Sequence, residues 1–364
     1  MMRILQITGS LERGGTQTFI MNVYRVLRKR DVIFDFLLFS DSKEGFYREA
    51  QSLGSKIYVL PSRKGNICRY FSELKSFFKE HSSEYRFVHF SGCTLTTIAP
   101  LYYAKKYHIP HRIIHAHSAS WEGIHNYILH SINRKFINCV ATDFLACSIK
   151  AKEFFYPSKL WDKCIILKNG INLCQFSFND DIRKKVRDKL GISDDVLVIG
   201  HVGRFATVKN HAFIIEVFNQ VQQINDNVLL LLLGNGELLN SVKNKVKELD
   251  LERKVLFLGE RDDVYRILQA FDLVLFPSLY EGLPFSLIEA QASGLKIFSS
   301  DRVSHEVDVT GNVFFLSLNK SAHSWAEFIC NHSTYVRRKT DSLIQNRGYS
   351  IEDTVQKLFT IYNS

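Results

Sequence analysis

No apolar run in the 364 residues is long enough to cross a bilayer. The longest aliphatic stretch, Val228–Leu233, falls far short of the roughly 18 residues a spanning helix needs. Residues 1–9 read as a strand and a turn, so no cleavable leader is expected. The seven cysteines are odd in number and none form a Cys-x-x-Cys pair. That argues against a disulfide framework or a zinc knuckle and fits a reducing compartment, with most of them acting as small apolar residues. The chain has no Gly-x-x-x-x-Gly-Lys-Ser/Thr, no Gly-x-Ser-x-Gly and no Asp-x-Asp. A P-loop ATPase, a serine-elbow hydrolase and a metal-bridged Asp-x-Asp nucleotide-sugar site are thereby excluded. With 23% charged and 46% hydrophobic residues, the chain is also too apolar for disorder.

What is present begins with an uneven charge. The formal balance is +10, but residues 1–172 alone carry +12 and the remainder −2. Arg25, Arg28, Lys29 and Arg30 close one predicted helix, and Arg63, Lys64 and Arg69 form a second group. Such a surface either attracts an anionic partner or is simply a solvated basic face.

Short apolar runs alternate with amphipathic stretches. Strands are expected at 3–8, 33–39, 56–60, 87–90, 112–115 and 143–147, with helices at 16–30, 45–53, 69–81, 94–106 and 123–136. The pattern restarts near 196, with strands at 196–202, 227–233, 255–258 and 273–276 and helices at 212–222, 240–249, 264–270 and 286–293. Alternation of this kind predicts α/β architecture with parallel sheets, here two doubly wound, Rossmann-like domains facing across a cleft. The expected domains are 1–172 and 173–348, with an amphipathic helix at 349–364 carrying Val355, Leu358 and Ile361. In doubly wound sheets, ligands bind outside the carboxyl ends of the strands, so the strand-end loops are where chemistry is sought.

Four such loops stand out. Gly14-Gly15 lies after the first strand and before a helix, where backbone N–H groups can meet a phosphate or a sugar; the alternative is a turn that uses glycine for positive φ. Its spacing is not the Gly-x-Gly-x-x-Gly of a dinucleotide fold. Arg204 and Lys209 flank the loop after 196–202 and can clamp a diphosphate, or be two solvated charges. Glu281 sits in the loop after 273–276, and Glu289 is expected in the first turn of the next helix. Ser286-Leu-Ile-Glu289 fits a capping box, which would make Glu289 structural; a ribose diol would suit the same carboxylate. His115-Ala-His117 ends a strand and places two imidazoles on one face. Zinc, a base or hydrogen-bonding role for one histidine, and a structural role are the three readings, and no cysteine or carboxylate joins the pair at a familiar zinc spacing.

In order along nearly the whole chain, Gly14-Gly15-Thr16, Ala146-Cys147-Ser148, Asn169-Gly170-Ile171-Asn172, Gly203-Arg204, Lys209-Asn210, Gly234-Asn235-Gly236-Glu237, Glu281 and Glu289 resemble the retaining GT-B glycosyltransferases of family 4. The wording of the second half is similar to transferases of bacterial capsule and exopolysaccharide pathways. One departure is Asn172, where the family usually has Asp.

The resemblance implies a nucleotide-sugar donor, with UDP the commonest nucleotide, and neither cofactor nor metal. It implies that Arg204 and Lys209 hold the diphosphate, that Glu289 accepts the ribose hydroxyls, and that Glu281 contacts the donor sugar. Backbone N–H groups around Leu283 and Phe285 would face phosphate and sugar, with Gly282 and Pro284 in the same donor-binding loop. Gly14 and Gly15 would let the first domain approach the diphosphate, His117 would meet the sugar by its 6-hydroxyl, and Arg261 would line the base pocket. It further implies that the first domain binds the acceptor. A lipid-linked diphosphate, or a saccharide, at an anionic membrane surface suits the +12 charge, and attachment through 16–30 to the inner face of the plasma membrane is the expectation. Rival readings are a sugar-nucleotide epimerase on the same fold and a non-catalytic subunit. No nucleic-acid module is recognisable.

Overall fold

The computed structural model describes residues 2–117 and 123–364. The chain divides into two compact units, Met1–Gly170 with Ile351–Ser364, and Ile171–Ser350. In the first, the order is β1 (Met2–Thr8), α1 (Gly15–Arg28), β2 (Val32–Leu38), α2 (Tyr47–Ser52), β3 (Ile57–Val59), α3 (Ile67–His81) and β4 (Phe87–Gly92). It continues with α4 (Ala99–Lys106), β5 (His111–Ala116), α5 (Ile124–Val140), β6 (Asp143–Ala146), α6 (Ile149–Phe155) and β7 (Cys164–Ile166). The seven strands are parallel in the order β3-β2-β1-β4-β5-β6-β7.

The second unit starts with α7 (Leu173–Phe176), α8 (Asp180–Leu190), β8 (Leu197–Val202), α9 (His211–Ile224), β9 (Val228–Leu233), α10 (Leu239–Glu248) and β10 (Val255–Gly259). Then come α11 (Val264–Ala270), β11 (Leu273–Phe276), α12 (Phe285–Ala292), β12 (Lys296–Ser300), β13 (Val313–Leu316), α13 (Ala322–His332) and α14 (Asp341–Asn346). Its six parallel strands are ordered β10-β9-β8-β11-β12-β13. Helix α15 (Ile351–Tyr362) returns to the first unit and packs on α1.

Period-2 burial explains both sheets. Leu5, Ile7, Val88, Phe90 and Ile114 face one way, under Tyr70, Leu74 and Phe78 of α3. Ile4, Phe87, Ile113 and Leu145 face the other way, under α1 and α15. In the second unit, Val198, Leu231 and Val274 meet α11 and α12, while Ile199, Leu230 and Leu273 meet α9 and α13. A sheet covered on both faces needs near-continuous apolar strands, which is what Val228–Leu233 supplies.

Several expectations need correction. Helix α4 begins at Ala99 instead of 94, because Pro100 occupies its first turn, where a missing N–H costs nothing. On α15 the buried stripe is Ile351, Val355, Leu358 and Tyr362; Ile361 is only partly buried. Strands β7, β12 and β13 and helices α6, α7, α8, α13 and α14 carried no expectation. At the basic end of α1, Arg25 is paired with a carboxylate, while Arg28 and Arg30 bond neutral oxygens and keep their charge. Arg25 forks onto Glu49 at 2.6 and 2.8 Å, Arg28 donates to the Leu53 carbonyl, and Arg30 donates to Gln356.

Candidate functional site

Strand order selects the loops. In each sheet the order reverses once, between β1 and β4 and between β8 and β11, and these switch points are where doubly wound sheets bind ligands.

In the second unit, the loop after β8 interlocks with the loop after β9. Phe205 N–H donates to the Asn235 carbonyl and Leu238 N–H to the Phe205 carbonyl. A Cβ on Gly234 (φ +135°) would lie 2.1 Å from the Gly203 carbonyl oxygen, so only glycine fits there. Arg204 reaches out from this loop to Glu237 at 3.0 Å and remains 71% exposed. Lys209 ends a short turn closed by Asn210 in the left-handed region (φ +57°). Its stem passes over Gly203, where a Cβ would come within 3.3 Å of it.

The turn is stitched to the loop after β11. Leu279 N–H donates to the Val208 carbonyl and the Asn210 amide to the Pro277 carbonyl. Lys209 Nζ consequently sits 2.7 Å from Glu281 Oε1, with only 15% and 20% of the two side chains exposed, and 4.6 Å from the centroid of the Phe276 ring. Ser304 N–H donates to the Glu281 carbonyl and fixes that loop from the other side.

Two residues beside Lys209 escaped the sequence reading. His201 and His211 are both buried, and burial with the neighbouring lysine charge holds both neutral, His211 at about 4. They wall the Lys209 stem without competing for Glu281. The Gly200-His201-Val202-Gly203 strand end was the available signal for His201.

Helix α12 decides between the two readings of Glu289. Its N-cap is Pro284, with no side-chain cap bond, so Ser286 does not cap it and no capping box forms. Glu289 is therefore the fifth helical residue, beyond the first turn where it was expected. Its side chain is buried, and desolvation raises its pKa to about 8. Among the described residues none donates to its carboxyl group, and none accepts from the Gly282, Leu283, Phe285 and Ser286 N–H groups. Pro284 brings no N–H of its own. Arg261 follows β10 and forks onto Asp263 at 2.7 and 2.8 Å, so it is already paired.

In the first unit, Gly14 and Gly15 open α1. Gly14 is extended (φ −169°), and neither glycine has positive φ, so the positive-φ reading does not hold. No side chain caps this end, and the first turn has no acidic residue. A Cβ on Gly15 would meet nothing within 4 Å, leaving the helix start sterically open. His117 follows β5 and donates its backbone N–H to the Gly92 carbonyl. Its ring lies 4.0 Å from the His115 ring and 5.1 Å from that of Phe19, centroid to centroid. Both ring nitrogens are shielded and unpartnered, and burial lowers the pKa to about 3. A neutral imidazole of this kind is a hydrogen-bonding group and a poor base near pH 7. Among the described residues, no third His, Cys, Asp or Glu joins the pair in a metal-ligating group.

The arrangement can hold an anion against Arg204, Lys209 and the start of α12, with a polyol at Glu289. Comparison with known proteins places the chain in a family. The family model described as glycosyl transferases group 1 matches residues 182–329. The Bacillus subtilis (strain 168) protein named as glycosyltransferase EpsF is 32% identical over 371 residues, 99% of this chain and 96% of its own. The UDP-Gal:alpha-D-GlcNAc-diphosphoundecaprenol alpha-1,3-galactosyltransferase of Escherichia coli is 33% identical over 146 residues, 38% of this chain and 37% of its own. HepE of Anabaena, solved with UDP and glucose, shares the fold over 100% of both chains, with a TM-score of 0.80 at 18% identity. This chain belongs to the group 1 glycosyl transferases and is a GT-B glycosyltransferase similar to those of bacterial capsule and exopolysaccharide synthesis.

Proposed function

We propose that the protein transfers a sugar, with retention, from a UDP-sugar to a lipid-linked acceptor in bacterial polysaccharide synthesis. Glu289 carries the donor reading. Burial holds this carboxyl group protonated, its ionised form is costly until something pairs with it, and a ribose diol offers two hydroxyl donors. The diphosphate then meets Lys209, Arg204 and the N–H groups that start α12. Those cations and dipoles compensate the charge that develops on the leaving diphosphate, so no metal is called for. His117, neutral, donates or accepts one bond at the sugar. The Escherichia coli relative is named for a UDP-sugar donor and a diphosphoundecaprenol acceptor, which supports the same chemistry here. Attack on the face from which the diphosphate departs gives retention without a covalent nucleophile.

The acceptor is anionic, and the first unit is basic. With Arg25 of α1 paired to Glu49, α5 is the better membrane contact. Ile124, Ile128, Ile132 and Phe136 are exposed along it at four-residue spacing, beside exposed Lys135. No described helix is long and apolar enough to cross a membrane, so the contact is peripheral.

Thermal shift with UDP, GDP and ADP tests the donor site. A ligand at about 100 times its dissociation constant adds about 2.7 kcal/mol. Stabilisation by UDP that weakens in Glu289→Ala is expected; no shift with any nucleotide overturns the reading. Transfer that survives EDTA tests the absence of a metal.

A further inference from the structure

One face of the first sheet changes character along its length. Beneath α1 and α15 it begins with Ile4, Phe87 and Ile113, and toward the strand ends it becomes Gln6, His89 and His115. Register places Gln6 opposite His89, and Ser91 opposite His115. Four polar side chains with almost no solvent contact are an expensive lining for a core, and Gln6, His89 and His115 join with Tyr362 in a line of bonds.

Gln6 Nε2 donates to the Tyr362 hydroxyl at 3.3 Å. The hydroxyl lies 2.6 Å from His89 Nδ1, and His89 Nε2 lies 3.3 Å from His115 Nδ1. The His115 ring then packs against that of His117. Phe19 of α1 touches both rings, at 5.3 and 5.1 Å.

Donor rules leave the line two directions, because the phenol oxygen that accepts from the Gln6 amide can either give its one proton to His89 Nδ1 or accept from it. In the first direction, the one proposed below, the phenol donates. His89 then carries hydrogen on Nε2 and donates it to His115 Nδ1. His115 in turn must carry its hydrogen on Nε2, which faces no protein acceptor. Burial keeps all three imidazoles neutral, so the tautomers are set by these bonds and not by pH.

We propose that Tyr362, Gln6 and His89 are positioning residues: through one directed line of hydrogen bonds they set the tautomer and ring plane of His115, and His115 with Phe19 sets the ring of His117. The last turn of the chain thereby determines how a group at the end of β5 presents itself. This rests on the reading of His117 as the donor-sugar contact. Second partners of this kind fix a working histidine in other sites by the same logic.

The test uses the full chain with ¹⁵N-labelled histidine. Ligand-free wild type should show His89 and His115 as Nε2–H tautomers with hydrogen-bonded Nδ1. Tyr362→Phe removes one oxygen and keeps the ring, and it should shift the ring signals of His115 and His117, which Tyr362 does not touch. A proton on Nδ1 of either ring in wild type, or unmoved His115 and His117 signals in the variant, overturns the relay.

The second readout is affinity for UDP against UDP-glucose, UDP-galactose and UDP-N-acetylglucosamine. Tyr362→Phe should leave UDP unchanged and weaken the preferred UDP-sugar by about two- to tenfold, the worth of one hydrogen bond. Equal loss for UDP and UDP-sugar would mark a general structural defect and overturn the positioning role. His117→Ala is the control for the underlying reading. If it leaves the ratio of the two affinities unchanged, His117 is not a sugar contact, whatever the histidine signals show.

Discussion

Lys209 Nζ and Glu281 Oε1 meet at 2.7 Å although one follows β8 and the other follows β11. The pair is largely shielded, so each member is the other's solvation. Removing one should cost about 3–5 kcal/mol of stability. Lys209→Met is expected to lower the melting temperature and to cut kcat by about 10²–10³-fold. Adding Glu281→Gln to it should recover part of the stability and none of the turnover. Arg204 is the contrast: its pair with Glu237 is exposed, so Arg204→Ala should leave melting unchanged while weakening UDP. Unaltered turnover in Lys209→Met would remove it from the diphosphate site.

Glu289 should make both stability and nucleotide binding depend on pH. With its pKa raised to about 8, the folded protein holds a proton that the unfolded chain releases near 4.5. Folded protein therefore binds more protons between those values, and stability falls as pH rises through that window. Glu289→Gln lacks the titration, so it should gain melting temperature over wild type at pH 8.5 and not at pH 5. A ribose diol that donates to the ionised carboxylate must displace the proton. UDP affinity should then rise with pH, by at most about tenfold per unit, and level off above 8. Calorimetry in buffers of different ionisation enthalpy reads the released proton. A Glu289→Gln protein with the same pH profile for UDP would rule this out.

Asp35 anchors the edge of the first sheet. It accepts from Arg3 Nε and Nη2, from Lys56 N–H and from the Tyr85 hydroxyl, at 2.6–2.9 Å, and is fully buried. Asp35→Ala strands those donors and should cost about 3–5 kcal/mol. Denaturant unfolding measures it. Affinity for UDP, whose proposed contacts are in the second unit, should be unaffected at temperatures where the variant is folded.

The proposed membrane contact lies on α5. Ile128→Asp with Ile132→Asp should abolish co-sedimentation with anionic liposomes, since both side chains are exposed and buried packing is untouched. Arg25→Gln, at the end of α1, should have little effect on binding because that guanidinium is paired with the Glu49 carboxylate. The opposite ranking would return the contact to α1.

The α/β alternation was legible because burial is written locally, with period 2 in the strands and about 3.6 in the helices. Both glycine-led strand ends, at Gly14-Gly15 and Gly203-Arg204, could be found in the same way. What lies between 296 and 348, strands β12 and β13 with helices α13 and α14, carried no expectation. Glu289 was ambiguous. Ser286-Leu-Ile-Glu289 satisfies a capping rule by spacing, but the cap belongs to Pro284, and the choice depends on where the chain leaves the loop.

The sequence by itself determined which residues could serve: two cations, two carboxylates, a pair of glycines and a run of histidines, all but Glu289 at or just after the end of a strand. Tertiary structure alone decided their partners. Strand order sets β8 beside β11, and that brings Lys209 to Glu281. The return of α15 brings Tyr362 to His89 across 273 residues of chain. Such pairings follow from the topology of the sheets, and a local pattern carries no information about which strand its neighbour will be.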